Sequence, residues 1–160
     1  MNEETKFTIK EAHMHFAKSI NGRVWELLDK ENRTEAENDE MLYASYGCTY
    51  HWLKVGTAVH QQRGEWLISH VHAALGNPFQ ALVHAERCYE LTEMHKGEMK
   101  DFDVAYAYEG LARANSAAGK VEEAKTWYGM AQQAGEAIVD KEDRDIFFGD
   151  FENGNWQDLK

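Results

Sequence analysis

Apolar residues recur along this chain at steps of three and four, and the breaks between them fall at Gly, Pro or polar clusters. That rhythm predicts helices. Ala12, Phe16, Ile20, Val24 and Leu27 draw one stripe, widened by Trp25 and Leu28, which predicts a first helix over residues 7–30 with a weak point at Asn21-Gly22. After the polar break Glu31-Asn32-Arg33, the run Thr34-Glu35-Ala36-Glu37 has the form of a capping box. It opens a second helix to residue 55, with Met41, Ala44, Cys48, Trp52 and Val55 on one face and Gly56-Thr57 ending it. Further helices are expected over residues 58–75 and 78–93, the latter with Pro78 in its first turn, where the missing N–H costs nothing. A polar linker over 94–100 precedes helices over 101–118, capped by Asp101 or Asp103, and 121–139. Asp140 and Asp143 then start a short acidic helix over 141–149, followed by a tail bearing Phe151 and Trp156. Strand-like alternation of useful length is absent. The expected class is all-α.

Two stretches repeat: Leu75-Gly76-Asn77-Pro78-Phe79-Gln80-Ala81 and Ala118-Gly119-Lys120-Val121-Glu122-Glu123-Ala124. In each, a helix runs into Gly, turns, and restarts on a helix whose first buried position is Ala. A helical hairpin of this kind buries its apolar face only by stacking on a neighbour. Tyr108, Leu111, Ala112, Gly119, Ala124, Tyr128 and Ala131, and more loosely Ile68, Ser69, Gly76, Ala81, Ala85 and Cys88, give a spacing that resembles the tetratricopeptide repeat. Ala44, Cys48 and His51 stand where Ala81, Ala85 and Cys88 stand later, so residues 7–56 read as a degenerate first pair. The family's Pro after the second helix of each unit is missing. The resemblance implies one domain over 1–160: an antiparallel helix-hairpin solenoid of about three pairs (7–56, 57–95 and 101–139), with residues 140–160 as a cap or tail. The tail's mixture of acids and Phe would also suit docking into a groove.

The resemblance further implies a concave ligand-facing surface formed by the first helix of each pair. Carried over residue by residue, its positions are Arg63, Trp66, His70 and Ala73, then Tyr106, Glu109, Arg113 and Ser116. Arg forks match carboxylates and aromatics supply anchors, so a carboxylate-bearing peptide is the expected partner, with Arg63, Trp66, His70, Tyr106, Glu109 and Arg113 as binding residues.

Composition narrows the alternatives. The net charge of −11 argues against nucleic acid, which needs clustered Lys and Arg. The acidity sits at the ends: residues 1–40 carry −4 and residues 136–160 carry −5, against −2 for the middle. The longest uncharged run, from Trp66 to Ala85, holds three His and a Gly-Asn-Pro turn, so it is two half-helices and no membrane span. The polar start Met1-Asn2-Glu3-Glu4 is unlike a targeting segment, and Cys48 and Cys88 make no disulfide framework, so a cytoplasmic setting is expected. Eight His invite a metal reading. His13/His15 and His70/His72 point to opposite helix faces, leaving Cys48 with His51 and His84 with Cys88 as pairs sharing a face. Together these four would make a Cys2His2 set suited to zinc, with hydrolytic or thiol chemistry, as an alternative to the scaffold. A phosphate loop and a nucleophile elbow are absent. The expectation is a non-catalytic protein-binding scaffold without cofactor, with self-association into a homodimer as a further alternative.

Overall fold

A computed structural model describes residues 4–156 and Leu159. The described chain forms seven α-helices: α1 (Ile9–Leu28), α2 (Glu35–Val55), α3 (Ala58–Ala74), α4 (Pro78–Met94), α5 (Asp101–Ala117), α6 (Val121–Glu136) and α7 (Lys141–Glu152), with a 3₁₀ turn at Lys96–Glu98. Neighbours pair as hairpins, α1 with α2, α3 with α4, α5 with α6, and each hairpin stacks on the next. The odd helices form one layer, tied by Trp25 on Trp66 and Trp66 on Tyr106; the even helices form the other, tied by Tyr46 on His84 and Tyr89 on Trp127. Among the described residues no helix is long and apolar enough to cross a membrane.

The two repeated turns are superimposable in their bonding. Gly76 and Gly119 both take the left-handed conformation, at φ of 75° and 73°. In the first, Asn77 N–H donates to His72 O and Gly76 N–H to Ala73 O; in the second, Lys120 N–H donates to Asn115 O and Gly119 N–H to Ser116 O. This is the Schellman arrangement, in which only a residue free of the Cβ penalty sits easily. The first hairpin solves the same problem differently. Arg33 Nη1 donates to Leu27 O and Lys30 O, capping the carbonyls at the end of α1, and its Nε reaches Asn38. A side chain does there what glycine does later.

Helix starts follow local chemistry. Thr34 and Glu37 exchange the two capping-box bonds, and Thr8 and Glu11 make an equivalent pair that starts α1 at Ile9. Asn21-Gly22 lies inside an unbroken α1. Asp140 accepts from Asp143 N–H and starts α7, which runs to Glu152, beyond the expected 149.

Three apolar clusters fill the interior. One joins the first two hairpins through Val24, Leu27, Met41, Cys48, Leu67, Val71 and Cys88; a second, small-residue cluster joins α4 to α5 through Ala81, Ala85, Leu111 and Ala114. The third seats α7 on α5 and α6: Phe147, Phe151 and Trp156 pack against Ala105, Ala112, Ala131 and Ile138. α7 is therefore the cap of the last hairpin. Glycines permit the closest approaches, since a Cβ at Gly64 would fall 2.6 Å from Thr49 on α2 and one at Gly135 would fall 2.4 Å from the Phe147 ring.

Candidate functional site

Where α1, α3, α5 and α7 face one another, a cleft of about 300 Å³ opens. Its wall is an aromatic ladder. Trp25 stacks on Trp66 at 5.8 Å, Trp66 meets Tyr106 edge-on at 5.1 Å, and Tyr106 meets Phe147 at 5.0 Å. Phe102, Leu67 and Ile146 complete the apolar lining; Asn21, Gln62, Arg63, Asp103 and Asp150 supply the polar groups.

Four of these five polar groups are held from behind. Asp103, 2% exposed, accepts both Arg63 Nε at 2.8 Å and Arg63 Nη2 at 3.2 Å, and also the Lys100 N–H that opens α5. Gln62 donates to Thr92 Oγ1 and to Asp103 O, pinning α3 against α4 and α5. The Arg63 guanidinium lies over Phe102, 5.1 Å from the ring centre. Tyr106 Oη–H donates to Asp150 at 2.5 Å; burial and that carboxylate push the phenol's pKa well above its usual value, so it stays a donor.

Of the six residues expected to face a ligand, Arg63, Trp66 and Tyr106 come together in the cleft. Glu109 does not face outward. It is fully buried, accepting from Trp66 Nε1–H at 2.8 Å and from Arg113 Nε at 2.6 Å. Arg113 is further covered by the Trp156 ring, 5.5 Å away. It lines a second hollow with His70, Ser116, Asn153, Asn155 and Trp156. Periodicity places three of the six on one face of α3 and three on one face of α5; what it misses is that Glu109 pairs with Arg113 one turn along α5 and also takes the Trp66 indole N–H across the α3–α5 seam.

His70 is enclosed between Trp25, Trp66 and Arg113, and its Nδ1 has no partner among the described residues. Burial, with Arg113 adding to it, lowers its pKa from 6.5 to about 3. The folded protein thus refuses a proton that the unfolded chain accepts near pH 6.5. Its contribution to stability is complete above pH 6.5 and is lost as pH falls from there toward 3. Between pH 7 and pH 5 this single group should cost about 2 kcal/mol. Urea unfolding at the two pH values should show that loss in the wild type, diminished by the same amount in His70→Leu; an equal pH dependence in both proteins would refute the assignment.

The four residues of the Cys/His alternative are not gathered around one point. Cys48 and Cys88 are buried in the core cluster, where desolvation raises both thiols. His51 Nδ1 lies 2.8 Å from His13 Nδ1 on α1, and burial lowers the His51 pKa. His84 is held by Glu65 and Tyr46. Among the described residues no three His, Cys, Asp or Glu side chains form a metal-holding group. The contacts of His13, His84 and Trp25 cross between helices, and one-dimensional spacing carries no trace of them.

No protein-family model, curated protein or solved structure matches this chain.

Proposed function

We propose that this protein is a non-catalytic, tetratricopeptide-like scaffold, cytoplasmic, that holds a side chain of a partner protein in the cleft between α1, α3, α5 and α7. The aromatic ladder Trp25–Trp66–Tyr106 carries this reading: the half-buried Trp25 and Tyr106 rings flank the buried Trp66, and all three line a partly open hollow. Trp, Tyr and Arg are the residue types that anchor protein interfaces, and a cleft of this size takes one bulky side chain. The matching glycine turns 43 residues apart, Gly76 and Gly119, support the repeat. Two buried free thiols, Cys48 and Cys88, suit a reducing compartment.

The partner's chemistry follows from how the charges are already matched. Arg63 is paired with Asp103 and Arg113 with Glu109, so each guanidinium charge already has its carboxylate. Asp150, at the cleft's edge, receives only the neutral Tyr106 hydroxyl. An aromatic or cationic side chain fits this lining better than an acidic one.

The test uses short capped peptides with a central Phe, Lys, Arg or Glu, added to ¹⁵N-labelled protein while the Trp indole N–H signals are followed. The Trp25 and Trp66 signals should shift with the Phe, Lys or Arg peptides and stay put with the Glu peptide. Ile146→Trp, which plugs the cleft from an exposed position, should abolish the shift with the fold intact. Shifts led by the Glu peptide, or unchanged by the plug, would sink the reading.

A further inference from the structure

On the opposite side, at the seam of α2, α3 and α4, five side chains form one continuous hydrogen-bonded chain. His84 Nδ1–H donates to Glu65 Oε2 at 2.6 Å. His84 Nε2 lies 3.0 Å, and His72 Nε2 2.9 Å, from the same oxygen, the Tyr46 hydroxyl. His72 Nδ1 faces the Asn77 amide at 3.4 Å. The two imidazole planes are within 10° of parallel, their centres 5.7 Å apart.

Glu65, an acceptor only, fixes the proton of a neutral His84 on Nδ1, leaving the Nε2 lone pair aimed at Tyr46. Tyr46 then donates to His84 and accepts from His72. Burial and the neighbouring His84 lower the His72 pKa, which keeps that ring neutral; burial and Glu65 raise that of Tyr46. Two imidazole nitrogens thus each lie within 3.0 Å of one phenol oxygen, and one imidazole carries a carboxylate on its other nitrogen. That last feature is the outer-shell arrangement that orients metal-bound histidine.

We propose that His72, His84 and Tyr46 form a binding site for a divalent ion of the zinc type, with Glu65 orienting His84. Three donors around a tetrahedral zinc at 2.0–2.1 Å stand about 3.3 Å apart, so each nitrogen–oxygen pair needs to open by only about 0.3–0.4 Å. The ion takes the place of the shared protons. Tyr46 gives up its hydroxyl proton to solvent and ligates as the phenolate. The His72 proton moves from Nε2 to Nδ1, where the Asn77 amide, turned over, accepts it. Water fills the fourth position. Tyr46 is 41% exposed and Leu53 and Tyr50 on the same helix are also exposed, so the ion reaches the site from solvent without unfolding a helix. The nitrogen and oxygen donors also suit Cu²⁺ and Co²⁺.

Zn²⁺ alone is the probe, titrated calorimetrically into the metal-free protein at pH 7.5. One equivalent should bind with release of about one proton. His84→Ala should weaken binding at least tenfold, as should His72→Ala. Glu65→Gln should weaken it about tenfold with the melting temperature nearly unchanged, a split that a purely structural role would not give. Tyr46→Phe should abolish the proton release. Because His72 is nearly buried and its variant can misfold, His84→Ala and Glu65→Gln decide the matter. His13→Ala is the control, since His13 and His51 make a separate imidazole pair; it should leave the affinity unchanged. Absence of stoichiometric binding to the wild type, or binding that survives His84→Ala and is lost in His13→Ala, overturns the proposal.

Discussion

Phe147→Ala should cost the protein about 3–5 kcal/mol and loosen the whole of α7. The ring is fully buried; it meets Tyr106 edge-on at 5.0 Å and lies nearly parallel to Phe151 at 5.5 Å. Its floor is Gly135, where any side chain would collide with it, so α6 is shaped for this ring and cannot close over the gap it leaves. Truncation removes the transfer energy of the ring and leaves a cavity besides. The other ties of α7 are the Tyr106–Asp150 bond, the Arg144 bond to Ile138 O and the packing of Phe151 on Tyr128 at 4.8 Å. The loss should appear as a lower urea midpoint and as rapid proteolysis between Val139 and Asp145 at concentrations that spare the wild type. Resistance equal to wild type, with a loss under 1 kcal/mol, would show that α7 is not held by this contact. Because Ile146 and Asp150 line the cleft, the same variant should weaken binding there.

Glu109→Ala should be comparably damaging, at about 3 kcal/mol or more, for an electrostatic reason. Its carboxylate is the common acceptor of the Trp66 indole and the Arg113 guanidinium at the seam between α3 and α5. Removing it strands an indole N–H and a guanidinium with 18% side-chain exposure. Glu109→Gln keeps one acceptor oxygen and should lose less. The pair variant Glu109→Leu with Arg113→Leu removes both charges, and should recover much of the loss if the uncompensated arginine is its source. Denaturation of the four proteins at one pH measures this; a double variant as unstable as Glu109→Ala would point to packing instead.

The hairpin arrangement was legible because it rests on local chemistry. Gly76 and Gly119 announce left-handed turns, Thr34 with Glu37 announces a helix start, and periodic Ala positions announce close helix pairs. The turn after α1 was less legible, since Arg33 caps it through a side chain whose reach has no fixed spacing. At the cleft, Trp66 and Tyr106 followed from aligning the two glycines. Trp25, Ile146 and Asp150 did not, because α1 and α7 lie outside the aligned units and meet the cleft only through packing. Glu109 and Arg113 sit on the expected stripe but turn toward each other, and helical phase alone does not say whether a charged residue faces solvent or a partner. The Tyr46, His72 and His84 cluster depends on the relative rotation of three helices, which no linear pattern encodes.

The widest hydrogen bond among the described residues joins Tyr106 to Asp150, 44 positions apart, and the Trp66–Glu109 bond spans 43. Every hydrogen-bonded tie between hairpins among the described residues is therefore complete soon after the next hairpin exists. A chain wired this way can settle progressively as it leaves the ribosome, each unit docking on a template already in place, with no early segment waiting exposed for a distant late one. Its birth order is also its assembly order, and α7, the seventh helix in that order, docks on a third hairpin already formed.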